Sequence, residues 1–140
     1  MPLLLFALEL GVRLGMEKRV RWGAVAIGVF YIAAGALHFV ATQLYLRAMP
    51  GYLPAPRALV LVSGAAEIAG GIGVMLPSTR RAAAWGLVLL LVAVFPANVW
   101  MAMHPERFAE IPQWALWARL PLQVPLIWWA WRFTKTEPQV

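Results

Sequence analysis

The 140-residue chain contains no cysteine. That excludes intrinsic dithiol chemistry, thiolate-bound metals, iron–sulfur clusters and S-acylation. Histidine is nearly absent, with only His38 and His104. Charge is scarce as well, at 13% of residues. No glycine-rich nucleotide loop and no nucleophile–base pattern is present. The net charge of +6 does not point to nucleic acid, because Lys and Arg gather in cytoplasmic loops of membrane proteins for topological reasons.

What the chain has in excess is apolar surface. It is 62% apolar with eight Trp, and its mean hydropathy is +0.71, where a soluble domain is about half apolar. The length allows one domain of four spans at ~20 residues each and leaves nothing for a soluble catalytic domain. The most informative stretch is Ser63-Gly64-Ala65-Ala66-Glu67-Ile68-Ala69-Gly70-Gly71. It lies between Arg57 and Pro77, and Glu67 is the only charge between those two residues. A carboxylate at mid-bilayer is costly unless it is paired, hydrogen-bonded or protonated. The small residues around it let a neighbouring helix approach and supply partners.

Four spans follow, at about 22–46, 57–76, 82–103 and 112–131, within a domain of 21–133. Residues 1–20 read as a cytosolic or interfacial segment, with Met16 an alternative start, and 134–140 as a cytosolic tail. In the first span Tyr31, Gly35, His38 and Thr42 share one helical face, which should turn inward. His38 then serves proton handling or ligand contact, or else a hydrogen bond that packs helices. Pro50-Gly51 suggests a type II turn. Pro96 interrupts the third span next to Asn98, whose amide will seek partners across helices. In the fourth, Pro112 suits a helix start, and Arg119 is drawn into the membrane. Pro121 and Pro125 bend this helix.

With both termini inside, the inner side carries Arg13, Lys18, Arg19, Arg21, Arg80, Arg81, Arg132 and Lys135, and the outer side Arg47, Arg57, Arg107 and Arg119. That bias supports an N-in, C-in bundle. Glu67 and Gln123 fall near mid-membrane. His38 lies about 6 Å and Asn98 roughly 9 Å outward, with Arg119 one turn outward of Gln123. A shared polar pocket in the outer half of the bundle accounts for this placement. The arrangement expected is a Glu67–Arg119 pair, with His38, Asn98 and Gln123 around it. The alternative is a network that only holds helices in register. His38 and His104 differ in depth by roughly 12 Å, which disfavours haem, and His38 with Glu67 alone is too small a metal ligand set.

The ordered set of Gly35-Ala-Leu-His38-Phe39, Pro50-x-Tyr52-Leu53-Pro54, Ser63-Gly64-x-x-Glu67-Ile68-x-Gly70-Gly71, Arg80-Arg81-x-Ala83, Phe95-Pro96-Ala97-Asn98-x-x-Met101-Ala102 and Arg119-Leu-Pro121-Leu-Gln123 resembles the DoxX-like family of small bacterial membrane proteins, over residues 22–133. The resemblance implies an all-α, up-down four-helix bundle in the bacterial inner membrane and a link to redox metabolism. One branch of the family, DoxD, is a subunit of thiosulfate:quinone oxidoreductase.

The expectation is therefore an outer-half pocket for a quinone-like amphiphile. Glu67 and His38 would be its catalytic, proton-exchanging pair. Arg119, Asn98, Gln123 and Tyr31 would contact the ligand, and no metal would be held. No electron-carrying cofactor is encoded, so an oxidoreductase role would need a quinone–substrate pair or a partner redox enzyme. Two other readings stand beside it: a proton-coupled transporter or permeation subunit working as a homo-oligomer, and a scaffold for a partner oxidoreductase.

Overall fold

The computed structural model describes residues 2–135. Met1 and residues 136–140 of the expected tail lie outside them. The described chain is helical throughout, without strands: α1 Pro2–Val40, α2 Thr42–Arg47, α3 Pro56–Met75, α4 Arg80–Met103 and α5 Gln113–Trp131, with 3-10 turns at Pro105–Phe108 and Arg132–Thr134. Among the described residues three helices are long and apolar enough to cross a membrane, over Leu4–Val40, Pro56–Met75 and Arg80–Met103. The 19 residues of α5 would measure about 28 Å. They are more polar, carrying Arg119, two Gln and five Trp.

Two local outcomes differ from the sequence reading. α1 runs unbroken from Pro2 to Val40, so over the described residues the stretch read as an N-terminal segment is helical and continuous with the first span. No proline interrupts it. Gly11 and Gly15 each cost only about 1 kcal/mol of helix propensity, and Glu9–Arg13 and Glu17–Arg21 are favourably spaced i, i+4 pairs. From Leu4 to Arg19 every residue is exposed. The break comes later, at Ala41, where ψ is 35°. There the Thr42 hydroxyl donates to the carbonyls of His38 and Phe39 at 2.8 and 3.0 Å. Such back-bonding competes with the helical ladder and bends it.

The turn after α2 is also not type II at Gly51, since no described glycine has positive φ. Instead the Pro50 carbonyl accepts from Leu53 N–H at 3.1 Å. The left-handed residue is Ala55, φ 47°, immediately before α3.

The helices pack in chain order. α1 lies along α3, α3 along α4 and α4 along α5, whereas α1 and α5 meet at few points. The α1–α3 contact is set by glycines seven apart on each helix, running antiparallel. A Cβ on Gly35 would stand 2.5 Å from the Gly64 carbonyl oxygen, and one on Gly71 would stand 2.6 Å from that of Gly28. Only hydrogen atoms fit between these backbones, which draws the two helices close.

Two apolar clusters lie toward opposite ends of the packed helices. One contains Ala24, Ile27, Tyr31, Val74, Ala84, Leu87, Leu91 and Ala130. The other contains Ala48, Met101, Ala102, Phe108 and Leu116.

Candidate functional site

Between the two clusters lies a cavity of about 360 Å³, within the roughly 300–1,000 Å³ typical of small-molecule sites. All six residues named from the sequence line it: Tyr31, His38, Glu67, Asn98, Arg119 and Gln123. Their pairing differs from the expected arrangement. Two polar pairs form, one on α1 and α3 and the other on α4 and α5.

The first pair is His38 and Glu67, with Nε2 3.4 Å from Oε2. The close glycine contact of α1 and α3 brings them together. The other ring nitrogen, Nδ1, lies 3.0 Å from the Val60 carbonyl and 3.1 Å from Ser63 Oγ. The Ser63 hydroxyl itself donates to the Val60 carbonyl at 2.9 Å. A carbonyl can only accept, so Nδ1 carries a proton and donates to it. The contact between Nε2 and Oε2 then requires one further proton. It resides on the imidazole, facing a carboxylate, or on the carboxyl, facing a neutral imidazole. His38 and Glu67 therefore form a one-proton site on the cavity wall. The Tyr45 ring lies against His38 at a tilt of 31°, with centroids 3.9 Å apart.

The second pair is Asn98 and Gln123. Asn98 Nδ2 donates to Gln123 Oε1 at 2.9 Å, and Gln123 Nε2 donates to the Leu91 carbonyl. Pro96 lies inside α4 and lacks an N–H, which frees a carbonyl one turn earlier, beside Leu91. Gln123 is 4% exposed, so this network is a buried structural tie between α4 and α5 whose remaining polar edge faces the cavity.

The Glu67–Arg119 ion pair does not form. Among the described residues Glu67 pairs with His38, and the other carboxylate ion pair is Arg47–Glu110. The reason is the packing order: α5 lies on α4, not on α3, so Arg119 stays on the rim of the cavity and is exposed. Tyr31 Oη is buried here without a hydrogen-bond partner, whereas the polar neighbour of Glu67 Oε2 is His38 Nε2 at 3.4 Å. Tyr31 itself is only 1% exposed. An unpaired buried polar atom costs about 1–3 kcal/mol, so this wall is a place where a ligand or water with complementary polarity gains.

Sequence reasoning missed Tyr45 and Ser63 as site residues. Both were within its reach: Tyr45 is seven residues from His38, and Ser63 is four from Glu67, each on the same helical face. His104 is not part of the site. It stacks on Trp100 with centroids 3.7 Å apart, and its Nδ1 lies 2.9 Å from the Trp100 carbonyl. No group of three metal-ligating side chains occurs among the described residues.

The end of the packed helices that holds Phe108 is tied by Arg47. It pairs with Glu110, donates to the Arg107 carbonyl at 3.2 Å and lies over the buried Phe108 ring. Glu110 is held below the usual carboxylate range, first by its hydrogen bond from Arg47.

No curated protein matches the chain, and no solved structure does. Residues 27–134 match the family model described as a domain of unknown function, DUF8561. That span takes in both polar pairs and all but the exposed first part of α1, and the chain belongs to the DUF8561 family.

Proposed function

We propose that this chain is an inner-membrane protein that crosses four times, with both termini in the cytoplasm, and binds a quinone-like amphiphile in the cavity between its two apolar clusters. The carrying observation is the unpartnered buried Tyr31 Oη on a cavity wall that also holds the His38–Glu67 pair. In this reading Tyr31 and the Glu67–His38 pair meet the oxygens of the ring. Asn98 and Gln123 line the facing wall, and Arg119 supplies a cation at the rim. The pair gives or takes one proton at the head oxygen that it hydrogen-bonds; a full quinone–quinol interconversion also moves two electrons and a second proton, which a reducing substrate or a partner redox enzyme exchanges with the head.

α5 serves as the fourth span. Its Trp114 and Trp117 at one end and Trp128, Trp129 and Trp131 at the other suit the two interfaces. The DoxX-like sequence pattern agrees with this reading. The apolar clusters at both ends favour ligand binding over permeation through a single copy.

The test is a thermal-shift titration of the protein in nanodiscs with a soluble quinone analogue, alongside Glu67→Gln, His38→Asn and Tyr31→Phe. A wild type saturated at a hundred times its Kd gains about 2.7 kcal/mol, and all three variants should lose most of that gain. A protein that shows no saturable shift, with variants that change stability alone, would refute ligand binding and leave a scaffold for a partner oxidoreductase.

A further inference from the structure

Among the described residues α1 and α5 are the loosest neighbouring pair of long helices. α1 is fastened to α3 and α5 to α4, and the two touch mainly toward one end, where Phe30 and Trp129 lie 6.0 Å apart. The cavity reaches the seam between α1 and α5 from both sides. Phe30 and Leu44 line it from the α1–α2 side, and Arg119 and Leu122 line it from α5. All four are also exposed, with Phe30 at 42%, Leu44 at 37% and Leu122 at 59%. Residues that both line a cavity and face outward form its mouth. Leu122 is the middle residue of α5, and Phe30 lies between Gly28 and Gly35, the glycines of α1 that pack on α3. In a chain that spans the bilayer, a mouth at that depth faces hydrocarbon. Along the helix axes the cavity meets a buried apolar cluster in either direction.

We infer that the cavity opens laterally into the bilayer between α1 and α5, and that its ligand is an amphiphile whose head sits inside while its hydrocarbon tail stays in lipid. This rests on the ligand-binding reading above and narrows it. The ligand class is set by head chemistry alone, and tail length is unconstrained. The polar wall selects a head that presents both a donor and an acceptor, while Phe30, Leu44 and Leu122 make a greasy sill for the first carbons of the tail. Arg119, on the same sill, takes an acceptor oxygen at the point where head and tail join.

A closed cavity of about 360 Å³ behaves differently, since it admits a ring and a short chain and rejects anything longer. The experiment uses the full chain in nanodiscs with dimethoxy-methyl-benzoquinone and its homologues bearing short and long isoprenyl chains. Affinity is expressed per mole fraction of probe in the lipid. Leu122→Trp plugs the seam, and Leu89→Trp, equally lipid-facing but away from the cavity, is the control.

The lateral opening predicts that short- and long-tailed homologues bind within about threefold of one another. It also predicts that Leu122→Trp weakens the long-tailed probe at least tenfold while the tail-less head still binds. Wild type that takes the head but rejects long tails overturns the lateral opening and leaves the pocket standing. Leu122→Trp and Leu89→Trp behaving alike overturns it too. If not even the tail-less head binds, the pocket and its opening fall together.

Discussion

Gly64 is where the site is most sensitive to a single methyl group. Replacing it with alanine places a Cβ 2.6 Å from the Cβ of His38, 2.9 Å from the Gly35 carbonyl oxygen and 3.0 Å from the Phe39 ring. Ordinary contact begins at 3.4 Å, so α1 must withdraw by about 0.8 Å at His38, the difference between 3.4 and 2.6 Å. Added to the 3.4 Å between His38 Nε2 and Glu67 Oε2, that makes about 4.2 Å, beyond ion-pair reach.

The energetics partly cancel. Overpacking costs about 1–3 kcal/mol, and alanine returns about 1 kcal/mol of helix propensity. Gly64→Ala should therefore lose about 0–2 kcal/mol of stability and nearly all quinone-analogue binding. Gly86→Ala is the control, because nothing lies within 4 Å of its added Cβ, and it should be neutral or slightly stabilising. The assay is reversible unfolding in micelles together with the nanodisc titration. A Gly64→Ala protein as stable as Gly86→Ala, with binding intact, would show that the α1–α3 glycine contact does not position His38 against Glu67.

Gln123→Ala strips the Leu91 carbonyl and the Asn98 amide of partners and should cost about 1–3 kcal/mol. Adding Asn98→Ala should then cost far less than it does alone, a non-additivity that a double-mutant cycle in denaturant unfolding reads directly. At the end that holds Phe108, the Glu110 carboxylate is held below the usual range by Arg47. The favourable contribution of that tie is present above the ordinary carboxylate range and fades as pH falls through the lowered value. Both groups are largely exposed, so the effect is small and salt-sensitive. A carboxyl NMR titration of Glu110, repeated in Arg47→Gln, should show its midpoint move up. An unmoved midpoint would remove Arg47 as the cause.

Much of this protein is written in composition and spacing. Apolar runs of membrane length, proline and glycine punctuation and isolated polar residues inside those runs are one-dimensional features. They sufficed for an all-helical chain with membrane-length helices and for the six polar side chains that line one cavity. A polar residue deep in an apolar helix has to face inward whichever neighbour it meets, so its membership of the site is legible without a structure. Its partner is not. Glu67 with Arg119 satisfies charge on paper. Which cation or imidazole arrives depends on which helices touch, and that follows from glycines seven apart on α1 matching glycines seven apart on α3. The same packing order leaves α5 mainly on α4, strands Arg119 at the rim and loosens the seam to α1. The continuity of α1 through its charged middle, and its break at Ala41 beside the Thr42 hydroxyl, likewise turn on local hydrogen bonds that hydropathy does not weigh. Depth in the membrane is a property of one helix and can be read along it, whereas pairing is a property of two and exists only once they are packed.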